Sequence, residues 1–307
     1  MKINTRKKIK IICLFMSVAL IWGSTWMAMK LAVQTVPPMF ATGLRFLCAS
    51  PLLLWLSWRN GQPLLVPSAQ RNFQYVIGLC YFIIPFTLMF YGQQYTSASL
   101  ASIIFATMPA AVLIASIIIL QNKTSCQQIC GLLISIFCLT EILLQENNNS
   151  VPNSGKGTIS LIIAVIMHAV MYVIFKKRGG AQPIPILTYN TFPCLAAGIL
   201  LTLIGLYIEQ PVVSNISLSS SLSLLYLGIA SNGFGMLCYF SLQQLTRPFQ
   251  ASLVFLIFPL ISIILESIWT GLSINCKTVL LLFPLTAGIF MTLSYSNSRS
   301  DQRSSSG

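Results

Sequence analysis

Acidic side chains are nearly absent from this chain, which has five Asp and Glu among 307 residues. Charged residues of both signs make up only 7%, whereas 55% of the residues are apolar. A chain with so little polar surface cannot cover its apolar residues in water. The composition therefore excludes an ordinary soluble protein and predicts an all-α integral membrane protein.

Histidine and paired cysteines are also scarce, with one His, nine Cys and no CxxC pair. We therefore expect no metal site and no cofactor. The sequence has no GxxxxGK[ST] loop, which argues against transport driven directly by ATP. It also lacks HExxH and paired membrane aspartates, so an intramembrane enzyme is a weak alternative and we expect no enzymatic activity.

Apolar segments near the roughly 20 residues that a spanning helix needs recur ten times and predict ten transmembrane helices. They lie at about 11–33, 39–58, 73–92, 98–120, 128–145, 157–175, 186–208, 221–242, 248–270 and 278–296.

The net charge of +13 fits the orientation of such a chain better than nucleic-acid binding. If the N-terminus is cytoplasmic, fourteen of the eighteen Lys and Arg lie on the cytoplasmic side and only Lys156 and Lys277 lie outside. Lys30 and Arg45 fall within apolar segments. By the positive-inside rule both termini are then cytoplasmic, and the partners expected are the lipid bilayer and a small-molecule substrate, with no nucleic acid.

An internal repeat divides the chain into two units that are offset by 150 residues. The matching pairs include Gly78/Gly228, Gln93/Gln243, Thr96/Thr246, Phe105/Phe255 and Pro109/Pro259. Because each unit has five predicted helices, the second enters the membrane from the opposite side. We predict two inverted five-helix repeats, at 9–145 and 157–296, followed by a flexible cytoplasmic tail at 297–307.

Several short motifs make the chain resemble the EamA-like, ten-helix branch of the drug/metabolite transporter superfamily. They are Trp22-Gly23-Ser24, Arg45-Phe46, Tyr95-Thr96-Ser97-Ala98-Ser99 and Pro109. The resemblance implies a multi-pass carrier in the bacterial cytoplasmic (inner) membrane, often an exporter of small organic metabolites, amino acids or drugs. It also implies a central cavity between the two five-helix halves. The inverted arrangement of the halves would expose such a cavity to one side of the membrane and then the other, which is alternating access.

One departure from the family concerns an acidic residue of the ninth span. Members commonly end the fourth and ninth spans with Gly-Glu, whereas this chain has Gln121-Asn122 and Thr270-Gly271, with Glu266 one turn earlier. A carboxylate within a span is costly unless it is paired or hydrated. Glu266 is therefore a candidate for coupling or substrate binding, and a hydrogen-bonded carboxyl near the outer interface is the alternative.

Four groups of residues are further candidates for contact with a substrate or a coupling ion. Arg45 could attract an anion, but snorkelling is the commoner role of such a residue and of Lys30. His168 could relay protons or simply pack. Trp22, Trp26 and Tyr172 could line a cavity or contact lipid. Asn232 interrupts an apolar segment beside two glycines, where backbone could face a cavity or another helix.

Two repeated features are candidates for moving parts. Gln93, Gln94, Gln243 and Gln244 end corresponding spans on opposite sides, either as gate contacts or as helix caps. Pro109 and Pro259 remove backbone hydrogen bonds within spans and are candidate kinks or hinges. A membrane sensor or assembly protein that does not transport remains an alternative function, and a homodimer remains open.

Overall fold

The computed structural model describes residues 5–121, 124–148, 154–178, 185–246, 254–271 and 276–294, and all regular structure within these ranges is helical. The predicted tail at 297–307 lies outside the described residues. The helices of the first half are α1 (Thr5–Ala32), α2 (Pro38–Arg59), α3 (Arg71–Ile77, Gly78–Ile83 and Ile84–Tyr95), α4 (Ala98–Ala106 and Met108–Leu120) and α5 (Cys126–Asn148).

The helices of the second half follow the same order. They are α6 (Ser154–Arg178), α7 (Ile186–Ile208), α8 (Leu218–Tyr226, Leu227–Gly235 and Met236–Leu245), α9 (Val254–Thr270) and α10 (Cys276–Ser294). Short 3-10 turns at Ser68–Gln70 and Val213–Asn215 precede α3 and α8. The chain therefore enters both of these helices through a similar turn.

Seven helices of the described residues are long and apolar enough to cross a membrane. The shorter apolar stretches are Cys126–Ile142, Ile257–Thr270 and Cys276–Met291, which belong to α5, α9 and α10. Many large apolar side chains on the outside of the bundle are exposed, as lipid contact requires. The fold is therefore all-helical and multi-pass.

Helix contacts follow the same plan in both halves. Helix α2 packs along α7, and α5 packs along α10. In the first half α3 and α4 pack on α6, whereas in the second half α8 and α9 pack on α1. Exchange of the two halves leaves the α2–α7 and α5–α10 contacts in place and converts the contacts on α6 into those on α1.

Glycines allow α2 and α7 to approach closely. A Cβ atom on Gly43 would lie 2.5 Å from the backbone nitrogen of Thr202, and one on Gly205 would lie 2.7 Å from that of Phe40. No side chain fits at either distance, so the two backbones touch directly. Small residues at such crossings are typical of membrane helix pairs.

Several helix ends meet at one end of the bundle, which we call the Lys30 end. Here α1, α3, α7 and α9 finish, and α2, α4 and α8 begin. Ser97 and Ser217 start α4 and α8, and each hydroxyl accepts a hydrogen bond from the backbone N–H three residues on, at 3.0 and 3.1 Å. These caps satisfy backbone donors that have no partner within their own helix.

Candidate functional site

Two π-helical segments lie at corresponding places in the repeats. Gly78–Ile83 lies within α3, and Leu227–Gly235 lies within α8. The repeated glycines Gly78 and Gly228 fall at or next to the first residue of each segment. Wide helical turns of this kind are rare and occur frequently at functional sites. They place Tyr81 and Phe82 in one half, and Ser231 and Asn232 in the other, toward the centre of the bundle.

Arg45 of α2 is buried against the second π-helical segment, with 3% of its surface exposed. Its Nη2 donates to Oδ1 of Asn232 at 2.7 Å and lies 3.4 Å from Oγ of Ser231. Its Nη1 lies 3.6 Å from the sulfur of Met29, a weak acceptor. Its Nε has no hydrogen-bond partner among the described residues.

Aromatic rings connect Arg45 with His168. The guanidinium carbon lies 4.9 Å from the ring centroid of Phe86, a cation–π contact. The same Phe86 ring is 5.3 Å from the imidazole of His168, edge to face. Arg45, Asn232, Phe86 and His168 therefore form one cluster, which we call the Arg45 cluster.

His168 is surrounded by aromatic rings and by its own helix. Its Nδ1 lies 2.9 Å from the carbonyl oxygen of Ala164, and its ring contacts Tyr81 and Phe105 at centroid distances of 4.8 and 6.1 Å. The first helices of the two halves align at an offset of 146 residues, which pairs Lys30 with Lys176 and Trp22 with His168. Trp22 contacts Phe255, the repeat counterpart of Phe105, at 6.0 Å. The repeat thus reproduces an aromatic contact although the residue types differ.

The two tryptophans of α1 extend this aromatic region. Trp26 is buried and lies 4.7 Å from Phe105, while the half-buried Trp22 lies 4.8 Å from Tyr239. Because Phe105 also touches His168, Trp26 joins the Arg45 cluster through one ring. Trp22 lies one turn nearer the start of α1 and packs on α8 and α9.

Tyr172 is exposed on the side of α6 that otherwise faces the bundle. Ile159, Ile163 and Ile166 mark the outer side of this helix and are 60%, 42% and 51% exposed. At 3.6 residues per turn, Tyr172 lies about 220° around the helix from Ile159, on the side of the buried His168. It is nevertheless 46% exposed. Tyr172 is therefore more exposed than its position on the packed face of α6 predicts.

Glu266 does not lie in the Arg45 cluster but joins α9 to the start of α4. Its carboxylate accepts hydrogen bonds from the backbone N–H groups of Ala98 at 2.9 Å and Ser99 at 2.7 Å, and also from the hydroxyl of Ser99. The partially positive N-terminus of a helix stabilises such a carboxylate. Glu266 therefore acts in this structure as a cap between two helices of different halves.

Glu209 caps α2 in the same way, and the sequence reasoning did not identify it as a site residue. Its two carboxylate oxygens accept hydrogen bonds from the backbone N–H groups of Met39 at 2.9 Å and Phe40 at 2.8 Å. The sequence feature that could have identified Glu209 is its position directly after the seventh apolar segment. Both carboxylates thus close the Lys30 end across the boundary between the halves.

Lys30 ties α1 to the end of α3. Its Nζ donates to the carbonyl oxygens of Gln93 at 3.0 Å and Thr96 at 2.6 Å. Thr35 adds a hydroxyl contact with Ser220 at 2.8 Å, which joins the end of α1 to α8. Carbonyl groups that the end of α3 leaves free are therefore satisfied by a cation from another helix.

The predicted gate glutamines differ in their surroundings. Gln93 is fully buried, and neither atom of its amide has a hydrogen-bond partner among the described residues. Gln94 is exposed and lines an open depression of about 310 Å³ with Lys30 and Tyr95. The side chains of Gln243 and Gln244 lie outside the described part of the structure.

The two prolines also differ. Pro109 follows an interruption of α4 at Thr107, where the helix stops at Ala106 and resumes at Met108. Pro259 lies inside the uninterrupted helix Val254–Thr270. The repeat therefore places a break in the first half only. Among the described residues there is no group of three or more His, Cys, Asp or Glu that could hold a metal ion.

Two stretches of the chain, residues 9–144 and 155–294, match the EamA-like transporter family. The chain belongs to this family. It is 50% identical over 287 residues to protein PagO of Salmonella typhimurium, with 94% of each chain covered. It is 44% identical over 291 residues to an uncharacterized transporter of Buchnera aphidicola subsp. Schizaphis graminum, covering 93% and 95%.

More distant similarities extend the comparison. The uncharacterized inner membrane transporter YedA of Escherichia coli is 25% identical over 256 residues, which cover 83% of this chain and 80% of YedA. A solved crystal structure has a TM-score of 0.67 at 16% identity, over 94% of this chain and 97% of the other. That likeness concerns the fold alone. Family and relatives together make this chain a multi-pass membrane protein of a transporter family.

Proposed function

We propose that the protein is a secondary transporter that exports small organic solutes, such as metabolites, amino acids or drugs, across the bacterial cytoplasmic membrane. It works by alternating access between two inverted five-helix repeats, residues 9–145 and 157–296. Both termini are cytoplasmic in this proposal, so the Lys30 end faces outward. The two separate family matches and the exchangeable helix contacts support the repeat.

The observation that carries this proposal is a difference between the two sides of the bundle. At the Lys30 end, Glu209 and Glu266 cap helices of the opposite half, and Lys30 binds the end of α3. On the inner half of α6, Tyr172 is exposed although it points away from the lipid-facing side. Contacts that join the halves at the Lys30 end favour a state in which the halves are closed on that side, and the depression at Lys30, Gln94 and Tyr95 is a recess outside this closure.

The closing contacts are suited to reversible opening. Each consists of a few hydrogen bonds to helix ends, and exposed backbone groups can exchange such bonds for water when the end opens. The backbone amides of the first turns of α2 and α4 are the groups that would be released. In the proposed cycle, Glu209 and Glu266 act as latches of the outer gate, and Pro109 marks the hinge in α4.

Transport itself can be tested while the substrate is still unidentified. Purified protein is reconstituted into vesicles, which are incubated with a bacterial metabolite extract, washed and analysed by mass spectrometry. We expect one or more organic solutes to accumulate above the level in protein-free vesicles. If correctly folded protein accumulates no solute of any class, the proposal is wrong and the sensor or assembly role is favoured.

A further inference from the structure

The guanidinium of Arg45 lies in the interior of a membrane protein without an acidic partner among the described side chains. The chain has only five acidic residues. Glu209 and Glu266 are engaged at the Lys30 end, and the structure shows no contact between Arg45 and Glu141. An unpaired buried charge is costly in a medium of low polarity. Among the side chains that the structure describes, which exclude those of Glu146 and Asp301, the cation therefore has no carboxylate that compensates it.

The neutral contacts of Arg45 do not replace a counter-ion. An arginine carries five N–H donors, and here they meet one good acceptor, Asn232, one long contact, Ser231, and one thioether, Met29. The Nε donor meets no acceptor among the described residues. The face of Phe86 compensates part of the charge by a cation–π contact but uses none of these donors.

We propose that Arg45 binds the carboxylate of a small organic monoanion whose apolar or aromatic body packs against the rings next to it. A carboxylate matches the planar guanidinium fork, because two parallel N–H donors can bind its two oxygens. A single negative charge neutralises the site, whereas a dianion such as a phosphate monoester would leave an uncompensated charge in a poorly hydrated region. This substrate class rests on the proposed transport function.

The surroundings of Arg45 favour an apolar body on the bound anion. Phe86 lies between Arg45 and His168, and the rings of Tyr81, Phe105 and Trp26 continue from His168. The exposed Tyr172 lies about one helical turn from His168, on the same side of α6. Aromatic walls of this kind bind rings and alkyl chains, while one charged group fixes their orientation.

The decisive variant is Asn232→Asp, which changes the acceptor 2.7 Å from Arg45 into a carboxylate of nearly the same shape. If the guanidinium of the native protein lacks a counter-ion, the new carboxylate supplies one within the protein. We expect the variant to melt at a higher temperature than the wild type and to lose anion binding at least tenfold. Asn215→Asp, in the exposed turn before α8, is the matched control and should change neither property.

Binding is measured on the full-length protein in lipid nanodiscs, independently of transport. The probes are 3-phenylpropionate and hexanoate as anions, and 3-phenylpropanamide as the neutral counterpart of the first. We expect both anions to bind and to raise the melting temperature, and the amide to bind at least tenfold more weakly. Arg45→Met should abolish the preference for the anion, and Arg59→Met, an arginine that stacks on Trp55, should not.

Three results would overturn this assignment. They are binding of neither anion to the wild type, equal binding of acid and amide, and undiminished anion binding by Asn232→Asp. Because Asn232→Asp is expected to be more stable, its loss of binding cannot be attributed to unfolding even if Arg45→Met fails to fold. If the protein transports other solutes into vesicles but does not bind the anions, the assignment of Arg45 is wrong and the transport proposal stands. Anion binding without uptake of any solute would overturn the transport proposal alone.

Discussion

The carboxylate of Glu266 accepts hydrogen bonds from both the backbone N–H and the hydroxyl of Ser99, 167 residues earlier in the chain. This contact fixes the last turn of α9 on the first turn of α4, and so joins the two halves at the Lys30 end. Glu209 joins α7 to α2 there in the same manner. The closure of this end thus depends on two carboxylates that bind helix N-termini.

Replacing Glu266 by Gln should loosen the first turn of α4. Glutamine has nearly the same shape but no charge and only one acceptor oxygen. The variant therefore loses its interaction with the helix dipole and one of the two backbone hydrogen bonds. We expect a local cost of about 1–2 kcal/mol, and amide hydrogen exchange at Ala98 and Ser99 about 5- to 30-fold faster. Glu141→Gln on α5 is the control. Unchanged exchange in Glu266→Gln would show that the contact does not hold this end closed.

Replacing Gln93 by Leu should stabilise the protein and slow transport. The native amide is buried without a partner among the described residues, which costs about 1–3 kcal/mol and which leucine of similar size avoids. If Gln93 finds its partners when the Lys30 end opens, the variant will favour the closed state. Thermal unfolding and vesicle uptake measure the two effects. The exposed neighbour Gln94→Leu should show neither, and a less stable Gln93→Leu would contradict this account.

Two glycines of α6 should respond differently to alanine. A Cβ on Gly157 would lie 2.8 Å from the carbonyl oxygen of Gly92 on α3, whereas a Cβ on Gly155 would meet nothing within 4 Å. Gly157→Ala should therefore force α3 and α6 apart and lower the stability by about 1–3 kcal/mol. Gly155→Ala should be neutral or stabilising by up to about 1 kcal/mol. Equal melting temperatures of the two variants would show that this close helix contact is absent.

His168 should act as part of the aromatic wall. His168→Phe keeps a ring against Tyr81, Phe86 and Phe105, so we expect a loss of stability below about 1.5 kcal/mol. His168→Ala should lose about 2–5 kcal/mol through the space it leaves. Uptake by His168→Phe, measured between about pH 5.5 and 8, should follow the same pH profile as the wild type. A profile changed by this variant would instead favour the proton relay.

The sequence predicted the all-helical membrane fold because bilayer spans are local apolar segments. It also identified Arg45, Asn232 and His168 separately, since polar groups within such segments are unusual. It did not predict that Phe86 joins Arg45 to His168, because that contact depends on how three helices pack. The π-helical segments were not predicted either, since a single wide turn leaves little trace in the hydrophobic pattern.

The role of Glu266 also could not be predicted from the sequence alone. Its place within an apolar segment marked it as unusual, and both a buried coupling site and a hydrogen-bonded carboxyl were consistent with that place. Its partners are backbone N–H groups at the start of α4, and backbone groups carry no sequence signal. Only the packing of α9 against α4 reveals the cap. The unexpected exposure of Tyr172 likewise arises from the arrangement of neighbouring helices.

Counterflow in reconstituted vesicles tests the central claim most directly. Vesicles are loaded with an excess of an unlabelled solute identified by the uptake screen, and entry of the labelled solute is followed from outside. In a carrier with alternating access, the binding site returns to the outer side faster when it holds a solute than when it is empty. We therefore predict saturable entry of the labelled solute, and we expect preloading to accelerate it. No entry, or entry at the same rate with and without preloading, would contradict transport by alternating access.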